Sequence, residues 1–188
     1  MRVLGICGSP RKGNTEWLMR KLMTVFERRG VDTELITLKD EDIEICDGCM
    51  SCAQSGICHL NDDMQVIYGK ILAADAVVFG SPTYMHAPTA LSLAFIHRMG
   101  PLFGKIEGKR FGSVVVGQMP GPEGEESRGK VEEYFGVIAA IFGMKNAGSL
   151  SVVARDPNDA SKAEGMGDEC RKLASRILNP NTEEHPSH

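Results

Sequence analysis

The sequence predicts a three-layer, doubly wound α/β fold: a five-stranded parallel sheet with helices on both faces. Short apolar runs alternate five times with segments whose apolar residues recur at helical spacing, which is the signature of consecutive βα units. The runs Val3–Cys7 and Ala76–Gly80 are continuous rather than alternating, as strands covered on both faces require. Most of the connections are short.

Taken in order, Val3 to Cys7 is the first strand. Leu18, Leu22, Val25 and Phe26 mark the inner face of the first helix, which Asn14 or Thr15 can cap and Gly30 can end. Val31 to Leu38 alternates in polarity and reads as a half-buried edge strand, followed by a cysteine-rich insertion over residues 44–60. Asp62-Asp63-Met64 opens the next helix, which carries Met64, Ile67, Ile71 and Leu72 inward. Ala76 to Gly80 is the third strand, stopped by Ser81-Pro82, and Pro88 opens a helix with Leu91, Phe95, Ile96 and Met99 inward. Phe111 to Gly117 is the fourth strand, and Pro120-Gly121-Pro122-Glu123-Gly124 reads as a loop. Val131, Phe135, Ile138, Ala139 and Phe142 mark a helix, Ser149 to Ala154 the fifth strand, and Met166, Cys170, Leu173, Ala174 and Ile177 the final helix. The crossovers should be right-handed. Residues 1–178 are expected to form a single domain and residues 179–188 a flexible tail.

A chain of 188 residues is of one-domain length and buries roughly two-thirds of its unfolded surface without disulfide staples. With 42% apolar residues, 24% charged and a net charge of -4, it shows no electrostatic footprint for nucleic acid or an anionic membrane. No run approaches the roughly 20 apolar residues of a membrane span, and Met1 to Cys7 is too short for a signal peptide. A cytoplasmic protein is expected. Six cysteines in such a chain favour metal binding or catalysis over disulfides.

Doubly wound sheets place ligands outside the C-terminal ends of the strands, where the strand order reverses. Gly8-Ser9-Pro10-Arg11-Lys12-Gly13-Asn14-Thr15 joins a buried strand to a helix N-terminus, where free N–H groups and the helix dipole favour an anion. Ser9, Asn14 and Thr15 add side-chain donors and Arg11 adds charge around Gly13. Asn14 stands where a triphosphate loop needs lysine, and the dinucleotide spacing G-x-G-x-x-G is absent, so a single phosphate is the reading. The blander alternative is a glycine turn capping a helix without a ligand. In Gly80 to Pro88, Pro82 stiffens the backbone, while Thr83 and Tyr84 offer N–H donors and an aromatic body to a planar ring, beside Met85. His86 is a candidate proton donor or simply a solvated loop histidine, and no other catalytic residue is assigned. Gly117, Gln118 and Gly121 belong to a third loop able to approach the ring, whereas Trp17 and the methionines at helical spacing read as core.

Cys46, Cys49, Cys52 and Cys58 are separated by two, two and five residues. Three thiolates that close together can cap three irons of a cubane, and Cys58 can reach the fourth corner. Zinc sites more often use two pairs separated by a dozen or more residues. The spacing therefore favours an iron-sulfur cluster, with zinc or no metal as alternatives. Cys7 and Cys170 read as inert core thiols.

The phosphate loop, together with Ala74-Asp75-Ala76-Val77-Val78-Phe79-Gly80-Ser81-Pro82-Thr83-Tyr84 and Phe95-Ile96-His97-Arg98, resembles the NADPH-dependent FMN reductase-like branch of flavodoxin-like proteins. The resemblance implies strand order 2-1-3-4-5, FMN with its phosphate on the first loop and its ring on the second, and a homodimer or homotetramer. His97 stands where the pattern commonly has Asp, and Leu93 where Lys is common, which bears on subunit contacts and substrate access. With its four cysteines the chain is similar to the iron-sulfur flavoprotein subgroup, which implies a 4Fe-4S cluster beside FMN. A protein that passes electrons from a ferredoxin-like donor through the cluster and FMN to a small-molecule acceptor is the leading expectation. The alternatives are an NAD(P)H-dependent flavin, quinone or nitro-compound reductase with structural cysteines, and a redox-sensing module without turnover.

Overall fold

The computed structural model describes residues 1–179, so the expected tail lies outside the described residues from 180 onward. Five parallel strands form one sheet: β1 (Arg2–Cys7), β2 (Asp32–Thr37), β3 (Ala76–Pro82), β4 (Arg110–Gly117) and β5 (Lys145–Val153). Their order is β2-β1-β3-β4-β5, the doubly wound arrangement expected. Cys7 stands opposite both Thr37 and Gly80, so the strands end together at one edge of the sheet.

Among the described residues, seven α-helices connect and cover the strands: α1 (Asn14–Glu27), α2 (Ser51–Ser55), α3 (Met64–Ala73), α4 (Ala90–His97), α5 (Gly121–Ile141), α6 (Asp159–Lys162) and α7 (Met166–Leu178). The strand alternation hidden inside each apolar run becomes visible in the packing. Leu4 and Ile6 face one layer with residues of α3, α4 and α5. Val3 and Cys7 face the other, with α1, α6 and α7. Phe79 centres the first layer, edge-on to Phe95, Phe111 and Phe135 at centroid distances of 5.5, 5.1 and 5.8 Å. Each such pair adds about 0.5–1.5 kcal/mol beyond area burial.

Several expected boundaries move. Gly13, not Asn14 or Thr15, occupies the N-cap of α1. Pro88 precedes its helix: Thr89 is the N-cap, its hydroxyl accepting from the Ser92 N–H at 3.2 Å. The stretch from Gly121 to Gly124, expected as loop, is the first turn of α5, with Pro120 as its N-cap. Proline is tolerated there because the first-turn N–H groups have no intrahelical acceptor. β5 begins at Lys145 rather than Ser149, because polar residues pair along a half-covered strand. The short helices α2 and α6 carried no periodic signal of their own.

Candidate functional site

The loop expected to take a phosphate leaves β1 at Cys7 and enters α1 at Asn14. Gly8 is held at both ends: its N–H donates to the Gly80 carbonyl at 2.7 Å, and its carbonyl accepts from the Thr89 hydroxyl at 2.6 Å. Only glycine fits, because a Cβ on Gly8 would stand 1.8 Å from Ser92 Oγ. Inside the turn the Ser9 hydroxyl donates to the Arg11 carbonyl at 2.7 Å, while Arg11 and Lys12 extend into solvent. The N–H groups of Lys12, Gly13, Asn14, Thr15 and Glu16 donate to no acceptor among the described residues. Five free donors at a helix N-terminus form a cradle for an anion.

One side chain of the loop acts differently from expectation, and a neighbouring carboxylate in α1 was not foreseen. Asn14 turns away from the cradle: its amide donates to the Asp156 carbonyl at 2.9 Å and its Oδ1 accepts from the Ala160 N–H at 3.2 Å. It pins α6 to the loop and offers an anion only its backbone N–H. Glu16, unremarked in the sequence, is a buried carboxylate in the first turn of α1, bonded to Arg20 at 2.8 Å with Lys39 3.9 Å away.

Beside the cradle, Thr83, Tyr84, Met85 and His86 meet Gly117 and Gln118 around a cavity of about 440 Å³. That volume suits a small cofactor. Pro82 and Gly121 flank the cavity without lining it. Tyr84 and Ala87 exchange N–H···O bonds of 2.9 and 3.0 Å across a two-residue turn. Met85 and His86 therefore both lie in the left-handed region, at φ 50° and 63°. Such strain in residues with a Cβ is kept at binding loops. The support of the third loop was not legible in the sequence: Arg128 of α5 lies buried against Gly117 and donates to the Met119 carbonyl at 2.9 Å. A larger hollow of about 970 Å³ lies between α7 and the start of β5, at the N-terminal ends of the strands and away from this crevice.

The cysteine segment packs on the sheet layer that holds Phe79 through Cys58, with Ile43 just before the segment packed there as well. Its anchor is a buried ion pair absent from the sequence reading. Arg98 donates to both carboxylate oxygens of Asp62, at 2.5 and 3.0 Å, and to the Glu44 carbonyl at 2.8 Å. Burial alone would raise the Asp62 pKa, but the Arg98 guanidinium and the N–H groups of Glu44 and Met64 outweigh it and hold the carboxyl below its ordinary range. The Arg98 Nε has no hydrogen-bond partner among the described residues, and the Cys58 thiol lies beside the guanidinium. An orphaned buried cationic donor next to a thiol suits a thiolate ligand. Cys52, on α2, rests against Gly100, while Cys46 and Cys49 are exposed. Asp47 is held below the usual carboxylate range by the Cys49 N–H, the Cys49 thiol and His59. Cys7 and Cys170 are buried, and burial pushes each thiol up to about 11, as inert core residues require. His97 is exposed at the end of α4.

Residues 1–155 match the NADPH-dependent FMN reductase family. An iron-sulfur flavoprotein of Methanocaldococcus jannaschii is 34% identical over 144 residues, 75% of either chain. Another, from Archaeoglobus fulgidus, is 31% identical over 180 residues, covering 94% of this chain and 77% of its own. The chain belongs to the iron-sulfur flavoprotein subgroup of the NADPH-dependent FMN reductase family. A further iron-sulfur flavoprotein, from Methanosarcina thermophila, is 36% identical over 97 residues, about half of each chain at 50% and 51%. Among solved structures, RosB with a bound riboflavin-phosphate derivative superposes with a TM-score of 0.76 at 15% identity over 94% of this chain and 77% of that one. An archaeal flavodoxin does so at 0.62 and 14% identity over 96% and 98%. These two likenesses show the flavodoxin-like fold. As a member of this family the chain is a flavin-dependent oxidoreductase. No described helix is long and apolar enough to cross a membrane.

Proposed function

We propose that this iron-sulfur flavoprotein is an electron-transfer oxidoreductase that moves electrons between a cysteine-held 4Fe-4S cluster, FMN and a small acceptor. The observation that carries this reading is the run of five unpaired N–H groups at the start of α1, opening beside the loop-lined cavity. When bound, FMN supplies one- or two-electron chemistry and the cluster one-electron chemistry. Ser9, Arg11, Gly13 and Thr15, with the Asn14 N–H, would hold the phosphate. Pro82, Thr83, Tyr84, Met85 and His86 would place the ring against Gly117, Gln118 and Gly121. Tyr84 and Met85 would cover one edge of the ring and keep bulk water from it, and the Thr83 and Gly117 backbone would orient it. Cys46, Cys49, Cys52 and Cys58 would hold the cluster, with Arg98 stabilising the thiolate of Cys58. A ferredoxin-like donor and a homodimer or homotetramer complete the reading.

A second reading, an NAD(P)H-dependent flavin, quinone or nitro reductase with structural cysteines, draws on the description of the family itself. Anaerobically purified protein separates the two. The first predicts stoichiometric flavin together with iron and acid-labile sulfide, and flavin reduction through ferredoxin. Iron and sulfide near zero, with rapid bleaching of the flavin by NADPH alone, would establish the second in its place.

A further inference from the structure

The cysteine segment also brings together a donor set that the four-thiol arrangement does not use. The carboxylate of Asp47, the Sγ of Cys49 and the imidazole of His59 all have ligand atoms within 4.8 Å of one another. His59 Nε2 lies 2.8 Å from Asp47 Oδ2, and the Cys49 N–H donates to Asp47 Oδ1 at 3.1 Å, so the carboxylate links the other two. All three residues are exposed, and an ion from solvent meets no barrier. An ion pair between His59 and Asp47 alone would not require the thiol to converge on both.

One thiolate, one imidazole and one carboxylate suit a borderline-soft divalent ion, whereas calcium and magnesium prefer sites built from oxygen alone. Three protein ligands leave a fourth tetrahedral position for water. We propose that Asp47, Cys49 and His59 form a mononuclear site for a divalent ion of the zinc class, sharing only Cys49 with the cluster ligands. A thiolate that caps an iron corner is not free for a second metal, so the two occupants exclude one another. This exclusion rests on the cluster reading above, whereas the ion site does not. Loss of the cluster would then leave a loop that takes up zinc.

The probe is Co²⁺, titrated anaerobically into the full-length, thiol-reduced protein stripped of metal, with the thiolate charge-transfer and d–d bands as readout. His59→Ala and Asp47→Asn should each weaken Co²⁺ binding by about tenfold or more, because loss of even an outer-shell partner costs a metal that much. Cys49→Ser should remove the charge-transfer band, and a Cys46→Ser/Cys52→Ser variant should bind as the parent does. Equal affinity in His59→Ala, or loss of binding in Cys46→Ser/Cys52→Ser, would overturn the site. In protein reconstituted with iron and sulfide, Co²⁺ uptake should fall in proportion to the iron incorporated, and His59→Ala should incorporate iron fully. Full Co²⁺ uptake by cluster-loaded protein overturns the exclusion. Failure of any iron to enter the parent protein overturns the exclusion and the cluster reading together, and the cobalt titration of the metal-free protein still decides the ion site.

Discussion

Gly8 shows how little freedom single residues have at this site. Its missing Cβ is what lets Thr89 and Ser92, at the start of α4, pack against the glycine turn, with the Thr89 hydroxyl bonded to the Gly8 carbonyl. Gly8→Ala should destabilise the protein by about 1–3 kcal/mol, as overpacking does, and weaken FMN binding by tenfold or more. A Ser92→Ala change in the same chain should recover part of both losses, because it removes the atom that clashes; flavin titration and urea melts would show it. Met85 is the opposite case, a residue strained without being crowded: it is 95% exposed with φ 50°. Met85→Gly should stabilise the protein by about 1 kcal/mol by relieving the left-handed penalty. The same change should weaken FMN binding, because Met85 lines the cavity. A drop in melting temperature would contradict this account of the turn.

At the scale of elements, α5 places the third loop. A glycine inside a helix is ordinarily about 1 kcal/mol worse than alanine, so propensity alone predicts that Gly124→Ala is stabilising. The structure predicts the reverse, since the added Cβ would stand 1.8 Å from the Met119 carbonyl oxygen, a backbone atom with nowhere to rotate. Gly124→Ala should therefore lower the melting temperature and displace residues 117–119, with FMN affinity falling about tenfold or more. The periodic apolar residues of α5 marked its body, and Pro120 to Gly124 looked like a loop because prolines and glycines say nothing about which side of a helix start they occupy. Likewise the sequence offered Asn14 as a cap or a phosphate donor, and only the packed α6 shows where its amide goes.

Across the whole molecule, the Arg98–Asp62 pair joins the cysteine segment to the sheet. Removing one partner leaves a buried unpaired charge, so Arg98→Met should cost about 3–5 kcal/mol, and pairing it with Asp62→Leu should return much of that. The pH dependence follows from the depressed pKa of Asp62. Between its ordinary and its folded pKa the unfolded chain binds more protons, so the stability contributed by the pair is complete above about pH 4 and is lost as pH falls through the folded value. Urea midpoints measured from pH 7 down to pH 3 should drop more steeply in the parent than in Asp62→Asn; parallel curves would rule the linkage out. The sequence by itself determined the layer architecture, the glycine-rich turn between β1 and α1, the two loops of the cavity and the four spaced cysteines. Each of these is written locally, in periodicity or in the spacing of neighbours along the chain. Only the tertiary structure decided that Thr89 and Ser92 close on Gly8, that Arg98 pairs with Asp62 beside Cys58, that Arg128 lies under the third loop, and that Asp47 and His59 meet Cys49. Most of these contacts join residues of different elements or loops, and no local pattern records a hydrogen bond whose two ends the chain brings together only by folding.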